Sequence, residues 1–152
     1  PGLGDKGLAM RYAVIQPTLW ESEPGHVHML MRSSTKHICR SDSADYGRTW
    51  CKVYETGLPN NNSGIDLAKL RDGTLVLAYN PVSSHWGKRW PMTVAVSRDN
   101  GETWRKLLDT DTEPGEYSYP AVVATSDNGV ALSYTWRREN IKFVKFEHNE
   151  IN

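Results

Sequence analysis

Eighteen basic residues balance eighteen acidic ones over 152 residues, so no long-range field draws this chain to nucleic acid or to an anionic membrane. Any anion site must be a local arrangement of arginines. The length suits one domain with a real core. No apolar run approaches the ~20 residues that cross a bilayer. Pro1 opens the chain with neither an initiator Met nor a signal-like apolar stretch, so the natural N-terminus is expected upstream and the compartment stays open.

Taken in order, short apolar or alternating runs at 13–15, 27–31, 74–79, 92–96, 121–124 and 141–146 are separated by turn signals, a pattern that predicts an all-β fold. The segment nearest to a helical period, 65–70, is too short to stand against the strand reading, and no long helix is assigned. Six Trp and seven Tyr against two Phe favour strands and also suit sugar-binding faces. Cys39 and Cys51 flank a predicted hairpin with its tip near Asp45 and Gly47. A cross-strand disulfide and two free buried thiols both fit that spacing. His26 and His28 share one strand face without a third ligand at metal-site spacing, so they are expected to be surface histidines and no metal or other cofactor is expected.

Two segments repeat 54 residues apart, Ser43-Ala44-Asp45-Tyr46-Gly47-Arg48-Thr49-Trp50 and Ser97-Arg98-Asp99-Asn100-Gly101-Glu102-Thr103-Trp104, both fitting S-x-D-x-G-x-T-W. Ser and Asp bond local backbone donors, Gly takes positive φ and Trp packs beneath the hairpin. Further internal matches follow: the turns Pro24-Gly25, Asp72-Gly73 and Asn128-Gly129 each precede an apolar strand, and Arg32, Asn80 and Trp136 each stand seven residues after the Gly.

The repeated octapeptide resembles the Asp-box, or BNR, repeat of sialidases and related β-propellers, where it joins the third and fourth strands of a blade. The resemblance implies three successive four-stranded antiparallel blades, at about 12–55, 62–108 and 117–148, in one partial propeller domain. Three blades do not close a ring. The chain is therefore expected to be half of a roughly six-bladed propeller, completed by the remaining blades or by a second copy of itself.

The segments around Asn62, Gly64 and Asp66, and Gly115-Glu116-Tyr117-Ser118-Tyr119-Pro120, are similar to the C-terminal half of a sialidase-like glycoside hydrolase. In that family a Tyr attacks the anomeric carbon, a Glu relays its proton, and arginines clamp the carboxylate of an acidic sugar such as sialic acid. The resemblance implies Tyr117 as nucleophile, Arg32 and Arg89 as carboxylate ligands, and Gln16, Asn62, Asp66, Tyr119 and Arg137 as further substrate contacts, while Glu116 beside Tyr117, or else Asp66, is the candidate substitute for the base. One departure matters: Gln16 occupies the place of the family's base Glu, and an amide does not accept the phenolic proton as a carboxylate does. A non-catalytic glycan- or protein-binding propeller and a lyase acting on uronic acids are the competing readings. Asn61-Asn62-Ser63 also fits the short N-glycosylation acceptor pattern.

Overall fold

A computed structural model describes residues 13–151. Eleven strands form three antiparallel sheets. The first sheet orders β1 (Ile15–Glu23), β2 (His26–Arg32), β3 (His37–Ser43) and β4 (Tyr54–Pro59). The second orders β5 (Asp66–Lys69), β6 (Leu75–Tyr79), β7 (Met92–Ser97) and β8 (Arg105–Asp111). The third has three strands, β9 (Tyr117–Ala124), β10 (Val130–Trp136) and β11 (Asn140–Phe146). A single helical turn, α1 (His148–Ile151), follows. The strand patterning did not foreshadow it; the Glu150 carboxylate accepts the Glu147 N–H at 2.7 Å, closing the turn from its N-terminal end.

The middle sheet explains why its strands read as continuous apolar runs. Every residue of β6 and β7 is buried, because successive side chains point to opposite faces and both faces are covered. Leu75, Leu77 and Tyr79 join Trp20, Leu30 and Ile38 of the first sheet in one core. Val76 and Ala78, alternating with them, join Val122, Leu132, Tyr134 and Phe146 of the third. Among the described residues the third sheet therefore has one covered face. Its other face leaves Val123, Ile141 and Phe143 between 60% and 70% exposed.

Both octapeptide repeats fold alike, at the turn between third and fourth strands. Ser43 Oγ accepts the Gly47 N–H at 2.9 Å, the Asp45 carboxylate takes the Thr49 N–H at 2.8 Å and its hydroxyl at 2.6 Å, and the Trp50 indole donates to Gly47 O at 2.9 Å. Ser97, Asp99, Gly101, Thr103 and Trp104 repeat each of these contacts. Both carboxyls are held at about 2, chiefly by the threonine hydroxyl and amide and then by the serine.

The second repeat also docks on the first sheet. Trp20 donates to Asn100 Oδ1 at 2.7 Å, and Arg40 donates to Asn100 O at 3.0 Å. His28, expected at the surface, is instead 7% exposed. It is enclosed by Asp42 at 2.6 Å, Ser22 at 2.8 Å and Asn100 at 3.2 Å, because the neighbouring sheet's turn covers it. Both cysteines are free: Cys39 is buried, as a thiol there was expected to be, but Cys51 is exposed.

Candidate functional site

The site begins with two β-bulges. In the β1–β2 ladder Ile15 pairs with Arg32 and Pro17 with Met31, so Gln16 drops out, at φ 52°. In the β9–β10 ladder Ser118 pairs with Thr135 and Ala121 with Ser133. Tyr119 and Pro120 together face Tyr134 alone, and Tyr119 has φ 54°. A proline follows each bulged residue, where no ladder N–H is available to be lost. Asn62, in the link entering β5, is likewise left-handed at φ 60°. Non-glycine residues held there cost of order 1–3 kcal/mol each and persist where surrounding structure imposes them.

All three strained residues meet at Arg32. Its side chain is 6% exposed at the end of β2. Nε donates to Asn62 Oδ1 at 3.1 Å, Nη1 to Gln16 Oε1 at 2.7 Å, and Nη2 to the Asn62 carbonyl. The Tyr119 phenol lies beside it as a further polar neighbour. Burial lowers the guanidinium pKa, the phenol opposes that shift and the nearby Arg89 charge reinforces it. An arginine remains ionised through such a shift. Among the described residues its hydrogen-bond partners are thus neutral amides and a carbonyl, and a buried cation in that setting lacks a countercharge.

Arg89 reaches the same place from the long β6–β7 connection. Its guanidinium lies 5.5 Å from the centre of the Tyr119 ring. Its Nη1 pairs with Glu116 Oε1 at 3.0 Å, while Arg138 Nε takes Glu116 Oε2 at 2.8 Å. Tyr119 itself is 52% exposed between the two arginines.

The remaining expected residues lie differently. Tyr117 is 1% exposed, packed edge-on against Tyr134 with ring centres 6.5 Å apart. Its hydroxyl is so enclosed that a Cβ on Gly115 would stand 2.7 Å from it. Arg137 bonds this phenol, which raises the arginine's pKa, and lies over the Trp136 ring at 4.7 Å. Asp66 uses both oxygens structurally: Oδ1 takes the Thr18 hydroxyl of the first sheet at 2.8 Å and Oδ2 the Val122 N–H of the third at 2.7 Å. Two neighbours were not singled out from the sequence. His85 Nδ1 is 3.4 Å from Asn62 Nδ2, and Trp86 beside it is 66% exposed. The available signal was the density of aromatic and basic residues in the 80–91 connection, which also carries Lys88, Arg89 and Trp90.

Sheets stacked through their faces, inner strands β1 and β9 bulged toward one cluster, and an Asp-box at the third turn of each four-stranded sheet define blades of a β-propeller. The chain belongs to the BNR repeat-like domain family, whose model matches residues 5–132. No curated protein matches its sequence. Among solved structures it is similar to the NanB sialidase of Streptococcus pneumoniae, with 18% identity and a TM-score of 0.69 over 93% of this chain and 24% of that one. Trypanosoma rangeli sialidase gives 14% and 0.69 over 91% and 24%. An α-L-arabinofuranosidase of Fusarium graminearum gives 20% and 0.64 over 87% and 44%. The chain thus spans about a quarter of those sialidases and under half of the arabinofuranosidase.

Proposed function

We propose that this chain supplies the carboxylate-holding part of a sialidase-like glycoside hydrolase acting on an acidic sugar such as sialic acid. The observation that carries this reading is buried Arg32, bonded to neutral groups and converging with Arg89 on the exposed phenol of Tyr119. A ligand carboxylate is the countercharge that Arg32 lacks, and a guanidinium fork matches it in shape. A leech intramolecular trans-sialidase, similar in fold at a TM-score of 0.66, was solved with 2,7-anhydro-Neu5Ac bound.

In this reading Tyr119, rather than the enclosed Tyr117, presents its oxygen to the anomeric carbon. Gln16 holds Arg32 and does not take the phenolic proton, and Glu116 is engaged by Arg89 and Arg138. The proton acceptor and the acid for the leaving group therefore come from further blades of a longer chain or from a second copy, docked on the exposed face bearing Val123, Ile141 and Phe143. The amide at position 16 favours one other reading, a propeller that binds an acidic glycan without cleaving it.

Calorimetric titration with sialic acid, galacturonate and neutral galactose tests the clamp. Arg89→Ala should weaken both acids about tenfold or more and leave galactose unaffected, since a hydrogen bond to a charged group contributes about 1.5–3 kcal/mol. Equal losses for acids and galactose would remove the clamp. With sialoside turnover by the completed propeller as readout, Tyr119→Phe should abolish activity while Tyr117→Phe retains it; the reverse would return the reacting phenol to Tyr117.

A further inference from the structure

A shallow cavity of about 380 Å³ lies between Asp111, Trp136, Asn140, Ile141 and Lys142. Its charged groups already pair with one another, Lys142 with Asp111 at 3.0 Å. The hairpin forming one wall of it is unusual. The Glu139 N–H donates to Trp136 O at 3.0 Å, closing a turn whose two central residues, Arg137 and Arg138, have φ of 54° and 58°. Two consecutive left-handed residues call for Asn-Gly or a similar pair, because a side chain on Cβ crowds the backbone there. The same fold respects that rule elsewhere: Tyr46-Gly47 and Asn100-Gly101 also carry paired positive φ, and each ends in glycine. At 137–138 both positions hold long cationic side chains in the strained conformation, an outlier of the kind that surrounding structure must impose and that clusters at functional sites.

The strained turn adjoins the Arg32 cluster. Arg137 N–H donates to Glu116 O at 2.7 Å, and Arg138 Nε pairs with the Glu116 carboxylate, whose other oxygen holds Arg89. Glu116 thus stands as a spacer between Arg89 and Arg138. Arg138 is 72% exposed, and Arg137 lies over Trp136 with Glu139 as a nearby acid. The chain is neutral as a whole, so this density of guanidinium groups is local.

We infer that the Arg137-Arg138 turn is a second anion subsite, and that the ligand is a glycan carrying carboxylates on successive sugars. The inference rests on the carboxylate reading of Arg32 and Arg89: the first acidic sugar occupies that pair and the next lies across Glu116 on the turn. Planar guanidinium donors suit the second carboxylate as they do the first.

The test titrates the full chain with two probe pairs, galacturonate against digalacturonate and sialic acid against its α2,8-linked dimer. At least one dimer should bind about tenfold more tightly than its monomer, as one added charged contact implies, and which dimer gains distinguishes uronic from sialic glycans. Arg138→Ala should remove the gain, read as the ratio of dimer to monomer affinity within the same variant, because Glu116 freed from Arg138 still pairs with Arg89. The double variant Arg137→Asn with Arg138→Gly should melt at a higher temperature than the natural chain and also lack the gain, so loss of binding there is not loss of fold. Dimers that bind no tighter than monomers, or a gain that survives both variants, would overturn the second subsite and leave the Arg32–Arg89 clamp standing. Failure of all four acids to bind the unaltered chain would overturn the clamp and the second subsite together.

Discussion

Asp66→Ala should be among the most destabilising single changes on the inner strands. The carboxylate stands in the middle sheet and receives one donor from each neighbouring sheet, the Thr18 hydroxyl at 2.8 Å and the Val122 N–H at 2.7 Å. Hydrogen bonds to a charged acceptor contribute about 1.5–3 kcal/mol each, and part-burial places both near the lower end, so truncation should cost about 3 kcal/mol. For a domain of this size that corresponds to a fall in Tm of roughly 6–12 °C. Asp66→Asn should cost only about 1 kcal/mol, because the amide oxygen can keep the Val122 N–H while its NH2 donates to the Thr18 hydroxyl. Thermal and urea unfolding of both variants measure this. A loss under about 1 kcal/mol for Asp66→Ala, or equal losses for the two, would refute the three-sheet tie.

Two other outcomes follow from the repeats. Asp45 and Asp99 are held at about 2 against an ordinary 3.8, so the folded state binds fewer protons than the unfolded chain between those values. Their contribution is complete above about pH 4 and is lost as pH falls through about 2. Tm should drop over that window, and Asp99→Asn should flatten the drop; an unchanged slope would contradict the local bonding. Gly101→Ala should cost about 1–2 kcal/mol, because φ is +81° and the added Cβ meets Arg40 Nη1 at 3.1 Å and Trp20 at 3.4 Å. Gly57→Ala, with nothing within 4 Å of the added Cβ, should be neutral or stabilising, and equal costs in denaturant midpoints would speak against the docking of this turn on the first sheet.

The features legible in the sequence were those encoded within a few residues. Ser, Asp, Gly, Thr and Trp of each repeat bond to one another inside a single turn, so five matched letters sufficed to place two hairpins, and their resemblance to the Asp-box implied the propeller class. Period-two apolar runs gave the strands for the same local reason. Arg32 and Arg89 could be nominated because the resemblance to the sialidase family aligns their positions relative to the repeats.

What tertiary structure decided was which side chains those strands present to each other. Strict alternation treats Tyr117 and Tyr119 as equivalent, yet the bulge opposite Tyr134 buries the first and projects the second between two arginines. His28 looked like a surface residue until the turn carrying Asn100 closed over it from the next sheet. Asp66 looked like a ligand contact, whereas its two oxygens are occupied by donors 48 and 56 residues away. A bulge is set by the partner strand and burial by the neighbouring sheet. Residue order therefore determined the repeating hairpins, while packing between sheets decided which phenol is exposed and which histidine and carboxylate are enclosed.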